Sequence, residues 1–98
     1  MTLREPCAEI FDYTSQKLHR VFRFPNGYGV SVVKGPKTKN RQWELAIVQF
    51  YGSQFFEFYV DDTTKIANDL VAGLTDNEVD SIMEVVEHYR PYGEFPTA

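Results

Sequence analysis

A period of two in the spacing of apolar side chains constrains this chain more than any other feature of its sequence. From residue 18 onward, Leu18, Phe22 and Phe24 fall on one face of an extended segment. Residues 25–27, Pro-Asn-Gly, then interrupt the pattern, and Asn and Gly tolerate the positive φ angles that tight hairpin turns require. The sequence therefore predicts two antiparallel strands joined by a turn, the second over residues 28–34.

Two further strands are predicted after a polar loop at residues 35–41, which has no apolar anchor. Across residues 42–50 the apolar side chains alternate at first and then occupy both faces, as in a central strand that is covered on both sides. Residues 55–60 alternate again. We therefore expect an antiparallel meander of about four strands over residues 17–60.

The last third of the chain is predicted to be helical. Thr75 and Glu78 have the spacing of a capping box, in which each side chain accepts a hydrogen bond from the other residue's backbone N–H. Pro91 disfavours helical geometry in the residue before it, so the helix is expected to end near Tyr89. The apolar positions that recur at helical spacing, and that we expect to pack on the sheet, are Val79, Ile82, Met83 and Val86.

The fold class that these elements predict is α+β, with the sheet packed against one C-terminal helix, in a single domain spanning residues 1–98. Residues 1–16 are expected to form an N-terminal arm or a short helix, because their apolar side chains suit one helical turn. Residues 66–90 make up the helical part, in which residues 66–74 form a turn or short helix at the sheet edge. Residues 91–98 form a tail.

Composition excludes several classes of protein. Aromatic residues make up 15% of the chain, which argues against intrinsic disorder. No apolar stretch approaches the roughly 18 residues of a membrane span, and the N-terminus lacks the pattern of a signal peptide. The single cysteine, Cys7, has no second cysteine with which to form an internal disulfide. We therefore expect a soluble protein of the cytoplasm with no membrane partner.

The net charge of -4 divides unevenly along the chain. Residues 1–56 contain eight Lys or Arg and four Asp or Glu, whereas residues 57–98 contain two and ten. The two halves therefore carry +4 and -8. Charge segregation of this kind steers association with partners. Each charged region is thus a candidate binding surface.

Catalytic and metal-binding patterns are not evident in the sequence. Cys7 would need a nearby base and a lowered pKa to act as a nucleophile, and the sequence places neither His19 nor His88 beside it. The acids lack the spacing of a calcium loop, and His and Cys lack that of a zinc site. Residues 27–29, Gly-Tyr-Gly, lack the third glycine of a phosphate-binding loop. We therefore expect no enzyme, no catalytic residue, no metal and no cofactor.

Two charged surfaces are candidate binding sites, although either could be an ordinary solvated surface. The acidic stripe recurs at three- to four-residue spacing along the predicted helix and would suit a cationic site on a partner. The basic hairpin, formed by the polar loop and its flanks, could follow the phosphates of a nucleic acid. The acidic stripe consists of Asp76, Asp80, Glu84 and Glu87, and the basic hairpin of Lys34, Lys37, Lys39 and Arg41.

Three stretches of the sequence resemble small, mostly uncharacterised accessory proteins of tailed bacteriophages and prophages. They are FPNGYGVSVV at residues 24–33, WELA at residues 43–46 and LTxxEV at residues 74–79. The resemblance covers about residues 22–86 and rests on turn and core positions. It implies a short sheet followed by one helix, an origin in a phage and a location in the host cytoplasm. It supplies no catalytic residue.

The function expected from this origin is that of a phage protein that binds a host protein and inhibits it by occupancy. The acidic stripe suits a host complex that handles nucleic acid, such as a defence complex blocked by an anti-CRISPR protein. One alternative is an interaction or dimerisation module of the phage particle or replication machinery, including a homodimer that pairs the basic hairpin with the acidic stripe. Another is direct nucleic-acid binding by the basic hairpin, which the pI near 5.0 disfavours.

Overall fold

The computed structural model describes residues 4–61 and 71–90. These residues form six strands, a short 3-10 turn and one α-helix, which confirms the predicted α+β fold of an antiparallel sheet packed against a C-terminal helix. In chain order the elements are β1 (Ala8–Asp12), β2 (Lys17–Arg23), β3 (Tyr28–Lys34), the 3-10 turn (Lys39–Arg41), β4 (Trp43–Phe50), β5 (Phe58–Val60), β6 (Val71–Leu74) and α1 (Asp76–Glu87).

Antiparallel pairing joins each strand from β2 to β5 to the strand before it, so β1 to β5 form a meander. β3 lies along one edge of β4. The other edge of β4 is shared by two strands. β5 pairs with residues 48–50, and β6 pairs with Trp43 and Leu45, with a shift in register between these two residues. The predicted meander of four strands is therefore present as β2 to β5, and β1 and β6 extend the sheet.

The strand register sorts the core residues onto the two faces of the sheet. On the face that α1 covers, here named face A, Phe22 lies opposite Val30, and Val30 lies opposite Ile47. These three side chains are at most 2% exposed and pack in one cluster with the helix. The other sheet residues of this cluster are Phe24, Tyr28, Val32, Trp43, Leu45 and Leu74.

The opposite face, named face B, has a smaller buried cluster. Val21 and Val48 are at most 1% exposed there. Phe50 packs against Phe58 with the two ring centroids 5.5 Å apart. The Arg23 guanidinium lies 4.6 Å from the centroid of the Phe50 ring, so its cation contacts the ring face. β4 therefore buries apolar side chains on both faces, as its sequence predicts.

The helix begins as predicted, at a capping box. The Thr75 Oγ1 accepts from the Glu78 N–H at 3.2 Å, and the Thr75 N–H donates to Glu78 Oε1 at 2.8 Å. The box gives partners to backbone N–H groups that have none within the first helical turn. The helix ends at Glu87 with His88 as its C-cap, close to the predicted end.

The helix face that packs on the sheet is narrower than predicted. Val79, Met83 and Val86 are fully buried against face A. Ile82, which the helical spacing groups with them, is only half-buried at the border of the cluster. We therefore expect truncation of Ile82 to cost less stability than truncation of its buried neighbours.

The hairpin turn between β2 and β3 holds the C-terminal end of the helix. Gly27 has a φ of +88°, a conformation that glycine adopts at little cost. The Asn26 side-chain amide donates to the carbonyl of Val86 at 2.8 Å and to that of Tyr89 at 3.0 Å. The last carbonyls of a helix lack partners within it, so Asn26 supplies a donor from the sheet. Tyr28 adds an edge-to-face contact with Tyr89, with centroids 5.2 Å apart.

The prediction of an arm or short helix over residues 1–16 is wrong for residues 8–12, which form β1. This strand pairs with β2 along its whole length, from Ala8 opposite Val21 to Asp12 opposite Lys17. Both faces of β1 remain substantially exposed because it is the edge strand of the sheet. Its sequence therefore shows no clear alternation.

The prediction of a helical part from residue 66 is wrong for residues 71–74, which form β6. Leu74 pairs with Trp43 and Val71 pairs with Leu45, so β4 supplies backbone partners that a local helix would otherwise provide. Residues 62–70 and the predicted tail at residues 91–98 lie outside the described residues.

The predicted fourth strand is shorter than expected. β5 begins at Phe58, and Phe55 and Phe56 lie in the preceding turn, 39% and 61% exposed. The Glu57 N–H donates to the Gln54 carbonyl at 3.0 Å and closes this turn. The aromatic run at residues 55–58 is therefore divided between a turn and an edge strand.

Candidate functional site

The N-terminal end of the acidic stripe is joined to the sheet through an indole. The Trp43 Nε1–H donates to Asp76 Oδ1 at 2.7 Å. Trp43 is 2% exposed, and a buried indole N–H requires an acceptor. Asp76 therefore supports the packing of helix on sheet as well as contributing negative charge. The spacing of the stripe alone gives no sign of this second role.

The C-terminal end of the acidic stripe is bound by Arg4. One guanidinium nitrogen, Nη2, donates to Glu84 Oε2 at 2.8 Å and to Glu87 Oε1 at 2.6 Å. These hydrogen bonds raise the pKa of Arg4 and lower the pKa of Glu87. The Arg4 guanidinium also lies 6.0 Å from the centroid of the Phe24 ring. Carboxylates near a helix C-terminus face the negative end of its dipole, so Arg4 offsets an unfavourable placement.

Asp80 lies between these two ends and is half-buried. Its Oδ1 is buried without a hydrogen-bond partner among the described residues. Of the two carboxylates at the C-terminal end, Glu84 is the more accessible, with 63% of its side chain exposed against 34% for Glu87. The structure therefore keeps the stripe on one side of α1 but connects three of its four members to the rest of the protein.

The basic hairpin is divided between stacked and exposed cations. Lys34 is half-buried, and its Nζ lies 5.3 Å from the centroid of the Trp43 ring. Lys37, Lys39 and Arg41 are exposed on the loop between β3 and β4. Lys34 is thus bound to the sheet by a cation–π contact, whereas the other three are exposed on the loop.

A buried threonine orders the loop that carries these cations. Thr38 is 5% exposed, and its Oγ1 donates to the Gly35 carbonyl at 2.8 Å and accepts from the Gly35 N–H at 3.2 Å. Asn40 and Arg41 adopt positive φ angles of +54° and +55°. The sequence predicts the polar loop but not this internal structure.

The two charged surfaces meet at Trp43. Arg20 approaches the same ring, with its guanidinium 5.7 Å from the centroid, and it also pairs with Glu9 on β1. Cations therefore lie over the face of the indole while Asp76 binds its edge. The sequence places Arg20 on the strand before the basic hairpin, where it could add to that surface, but it does not predict the role of Arg4. The single tryptophan is a signal for the contact with Asp76, because a buried indole requires an acceptor for its N–H.

The three residues considered for catalysis are not brought into one constellation. Cys7 is exposed, and partial burial of its thiol raises its pKa, which disfavours the reactive thiolate. His19 lies on the sheet with its Nε2 2.7 Å from Ser31 Oγ, and burial lowers its pKa. His88 lies at the helix C-terminus, where its Nδ1 is 2.9 Å from the Glu84 carbonyl.

Glu84, Glu87 and His88 form a cluster whose ligand atoms lie within 4.8 Å of one another. Such a group has donor atoms that a metal ion could use. Arg4 already donates to both carboxylates of this cluster, so a side chain of the protein itself supplies the positive charge that pairs with them. The two carboxylates of the cluster are therefore explained as part of the acidic stripe, paired with Arg4.

Comparisons with known proteins do not place this chain in a family. No family model matches the sequence, and neither a curated protein nor a solved structure gives a match. Within residues 4–61 and 71–90, the structure contains no helix with the length and apolar character of a membrane span. The resemblance to phage accessory proteins therefore stays a prediction.

Proposed function

We propose that the protein is a non-enzymatic binding protein that inhibits a host protein by occupying a cationic site with its acidic stripe. The origin implied by the sequence resemblance makes that partner a bacterial host protein. A cationic site that ordinarily holds nucleic acid, as in a defence complex, has the charge that the stripe would complement.

The observation that carries this proposal is the charge of α1. Five of its twelve residues are Asp or Glu, and none is Lys or Arg. Arg4 forms ion pairs with Glu84 and Glu87, so one positive charge serves two carboxylates of the stripe. The helix therefore keeps an excess of negative charge on an accessible surface.

Arg4 defines how a partner would engage the stripe. A cationic side chain of the partner would share Glu84, or replace Arg4 at Glu84 and Glu87. Removal of Arg4 should then strengthen binding, whereas removal of the Glu84 charge should weaken it. A partner that binds elsewhere would respond to neither change.

The test uses two variants with opposite expected effects, Arg4→Gln and Glu84→Gln, with Glu5→Gln as a control that removes an exposed carboxylate outside the helix. Tagged proteins are used to capture partners from a nuclease-treated bacterial host lysate, and the binding of each captured partner is measured after purification. We expect Glu84→Gln to weaken binding by about two- to fivefold and Arg4→Gln to strengthen it by a similar factor. Raising salt from about 50 to 300 mM should weaken wild-type binding.

The proposal is wrong if the captured partner binds all three variants as tightly as it binds the wild type. Sedimentation of the purified protein tests the alternative of a homodimer. A dimer that dissociates both in Glu84→Gln and in Lys37→Gln would favour pairing of the acidic stripe with the basic hairpin of a second copy.

A further inference from the structure

We propose that the end of the sheet formed by the β1–β2 hairpin and the β3–β4 loop binds single-stranded nucleic acid. In this site Phe11 and Tyr13 stack on bases, and Lys37, Lys39 and Arg41 contact phosphates. The site uses none of the four carboxylates of the acidic stripe and does not depend on the function proposed for that stripe.

Strand register brings the aromatic and cationic residues to the same end of face A. Phe11 lies opposite Leu18, and Leu18 lies opposite Lys34, so the three form one rung across β1, β2 and β3. Tyr13 follows β1 in the turn, and the cationic loop follows Lys34 directly. Sequence positions that are more than twenty residues apart therefore share one end of the sheet.

The exposed aromatic rings give this end a surface on which bases can stack. Tyr13 is 85% exposed and Phe11 45% exposed, and their ring centroids lie 4.9 Å apart with an interplanar angle of 78°. Tyr28 and Trp43, by contrast, are 6% and 2% exposed and cannot receive a base. Stacking on aromatic side chains supports binding to single strands with little regard to base sequence.

The cations of the loop at the same end of the sheet form a concentrated and ordered positive surface. Residues 34–41 contain four Lys or Arg and no Asp or Glu. The hydrogen bonds between Thr38 and Gly35 fix the loop, and the alkyl chain of Lys39 lies close to Gly73, at which an added Cβ would be 3.3 Å from the Lys39 Cδ. The loop therefore presents its charges from a defined backbone.

The observations favour a single strand over a duplex. Base faces that could stack on Tyr13 and Phe11 are hidden inside a duplex but accessible in a single strand. The helix of the described chain carries five acids and would repel phosphates, so it does not suit entry into a groove. A strand would accordingly follow the hairpin end and avoid the acidic stripe.

The binding test uses a labelled oligothymidylate of about 20 nucleotides, followed by fluorescence anisotropy at about 50 mM salt. Tyr13→Ala removes one stacking surface, and Tyr51→Ala is its matched control, since Tyr51 is 67% exposed beyond the opposite end of β4. Lys37→Gln with Lys39→Gln removes two charges from the loop. Arg23→Gln with Arg90→Gln removes two exposed charges outside the loop as the matched control.

We expect the oligonucleotide to bind the wild type and both controls, and Tyr13→Ala to weaken binding by about tenfold. The Lys37 and Lys39 double variant should also reduce the slope of log affinity against log salt by about 1.4, because each phosphate contact to a single strand contributes about 0.7. Far-ultraviolet circular dichroism and thermal unfolding would establish that every variant folds.

The inference is overturned if the wild type does not bind the oligonucleotide, if a duplex of the same length binds as tightly, or if Tyr51→Ala loses as much affinity as Tyr13→Ala. Glu84→Gln separates this inference from the proposed function, since it should bind the oligonucleotide at least as well as the wild type. A negative result in the oligonucleotide test therefore does not affect the test of the acidic stripe, and the reverse also holds.

Discussion

The side-chain amide of Asn26, in the turn between β2 and β3, donates a hydrogen bond to the backbone carbonyl of Val86 in the last turn of α1. Its Oδ1 also accepts from the Tyr28 N–H at 3.0 Å, which orders the turn itself. One side chain thus connects the local structure of a hairpin with the tertiary placement of the helix.

We expect Asn26→Asp to destabilise the protein more than the loss of a single hydrogen bond would. Aspartate can still accept from the Tyr28 N–H, but it replaces the donor to the helix carbonyls with a negative charge. A lost hydrogen bond costs about 1 kcal/mol, and a negative charge at a helix C-terminus adds about 0.3–1 kcal/mol. Urea unfolding would measure the change, and a midpoint equal to that of the wild type would show that the carbonyls find other partners.

The capping box predicts a contrast between two substitutions of Thr75. Thr75→Ala removes the oxygen that accepts from the Glu78 N–H and should cost about 1 kcal/mol, whereas Thr75→Ser retains it and should have little effect. Both proteins would be compared by urea unfolding. Equal midpoints for the two variants would contradict the energetic role of the cap.

The burial of α1 predicts an order of effects along its inner face. Met83 is fully buried, so Met83→Ala should destabilise the protein by about 2–5 kcal/mol. Ile82 is half-buried, so Ile82→Ala should cost clearly less. Chemical denaturation of both variants tests this order, and a larger loss for Ile82→Ala would mean that the helix packs in a different rotation.

His19 predicts a dependence of stability on pH. Burial on the sheet lowers its pKa, whereas a histidine in the unfolded chain has a pKa of about 6.5. Between the two pKa values the unfolded state binds more protons, so the free energy of unfolding falls as the pH decreases through that range. The loss of stability should begin at about pH 6.5. This is above the pH at which carboxylates such as that of Glu87 titrate in the unfolded chain, where their pKa is about 4.3.

His19→Gln provides the comparison for this pH dependence. Glutamine cannot titrate, so the variant should lose less stability than the wild type between about pH 7 and pH 5. The free energy of unfolding at several pH values would be obtained from urea titrations. Parallel curves for the two proteins would assign the pH dependence to other groups.

The parts of the fold that the sequence predicts are those whose cause is local. The turn at residues 25–27, the alternation that produces β2 to β4 and the capping box at Thr75 all depend on neighbouring residues. β1 and β6 depend instead on backbone partners far along the chain. β1 is exposed on both faces, and β6 contains Gly73 at a φ of +73°, so neither carries the alternation of a half-buried strand.

The candidate surfaces show the same division between local and tertiary causes. Helical spacing alone places Asp80 and Glu84 on one stripe, and the polar composition of the loop predicts that Lys37 is exposed. The contact of Arg4 with Glu84 joins residues at opposite ends of the chain. No local pattern predicts that pairing, because it exists only after the helix has packed on the sheet.

The connectivity of the sheet also has a consequence for synthesis of the chain on the ribosome. Each strand from β2 to β4 pairs with its predecessor, so hairpin formation can follow the emerging polypeptide from the N-terminus. The apolar side chains of face A remain uncovered until α1 is synthesised, because α1 is the last of the described elements. A chain that ended before Thr75 would lack α1, so the apolar side chains of face A would stay exposed and would offer chaperones a binding surface.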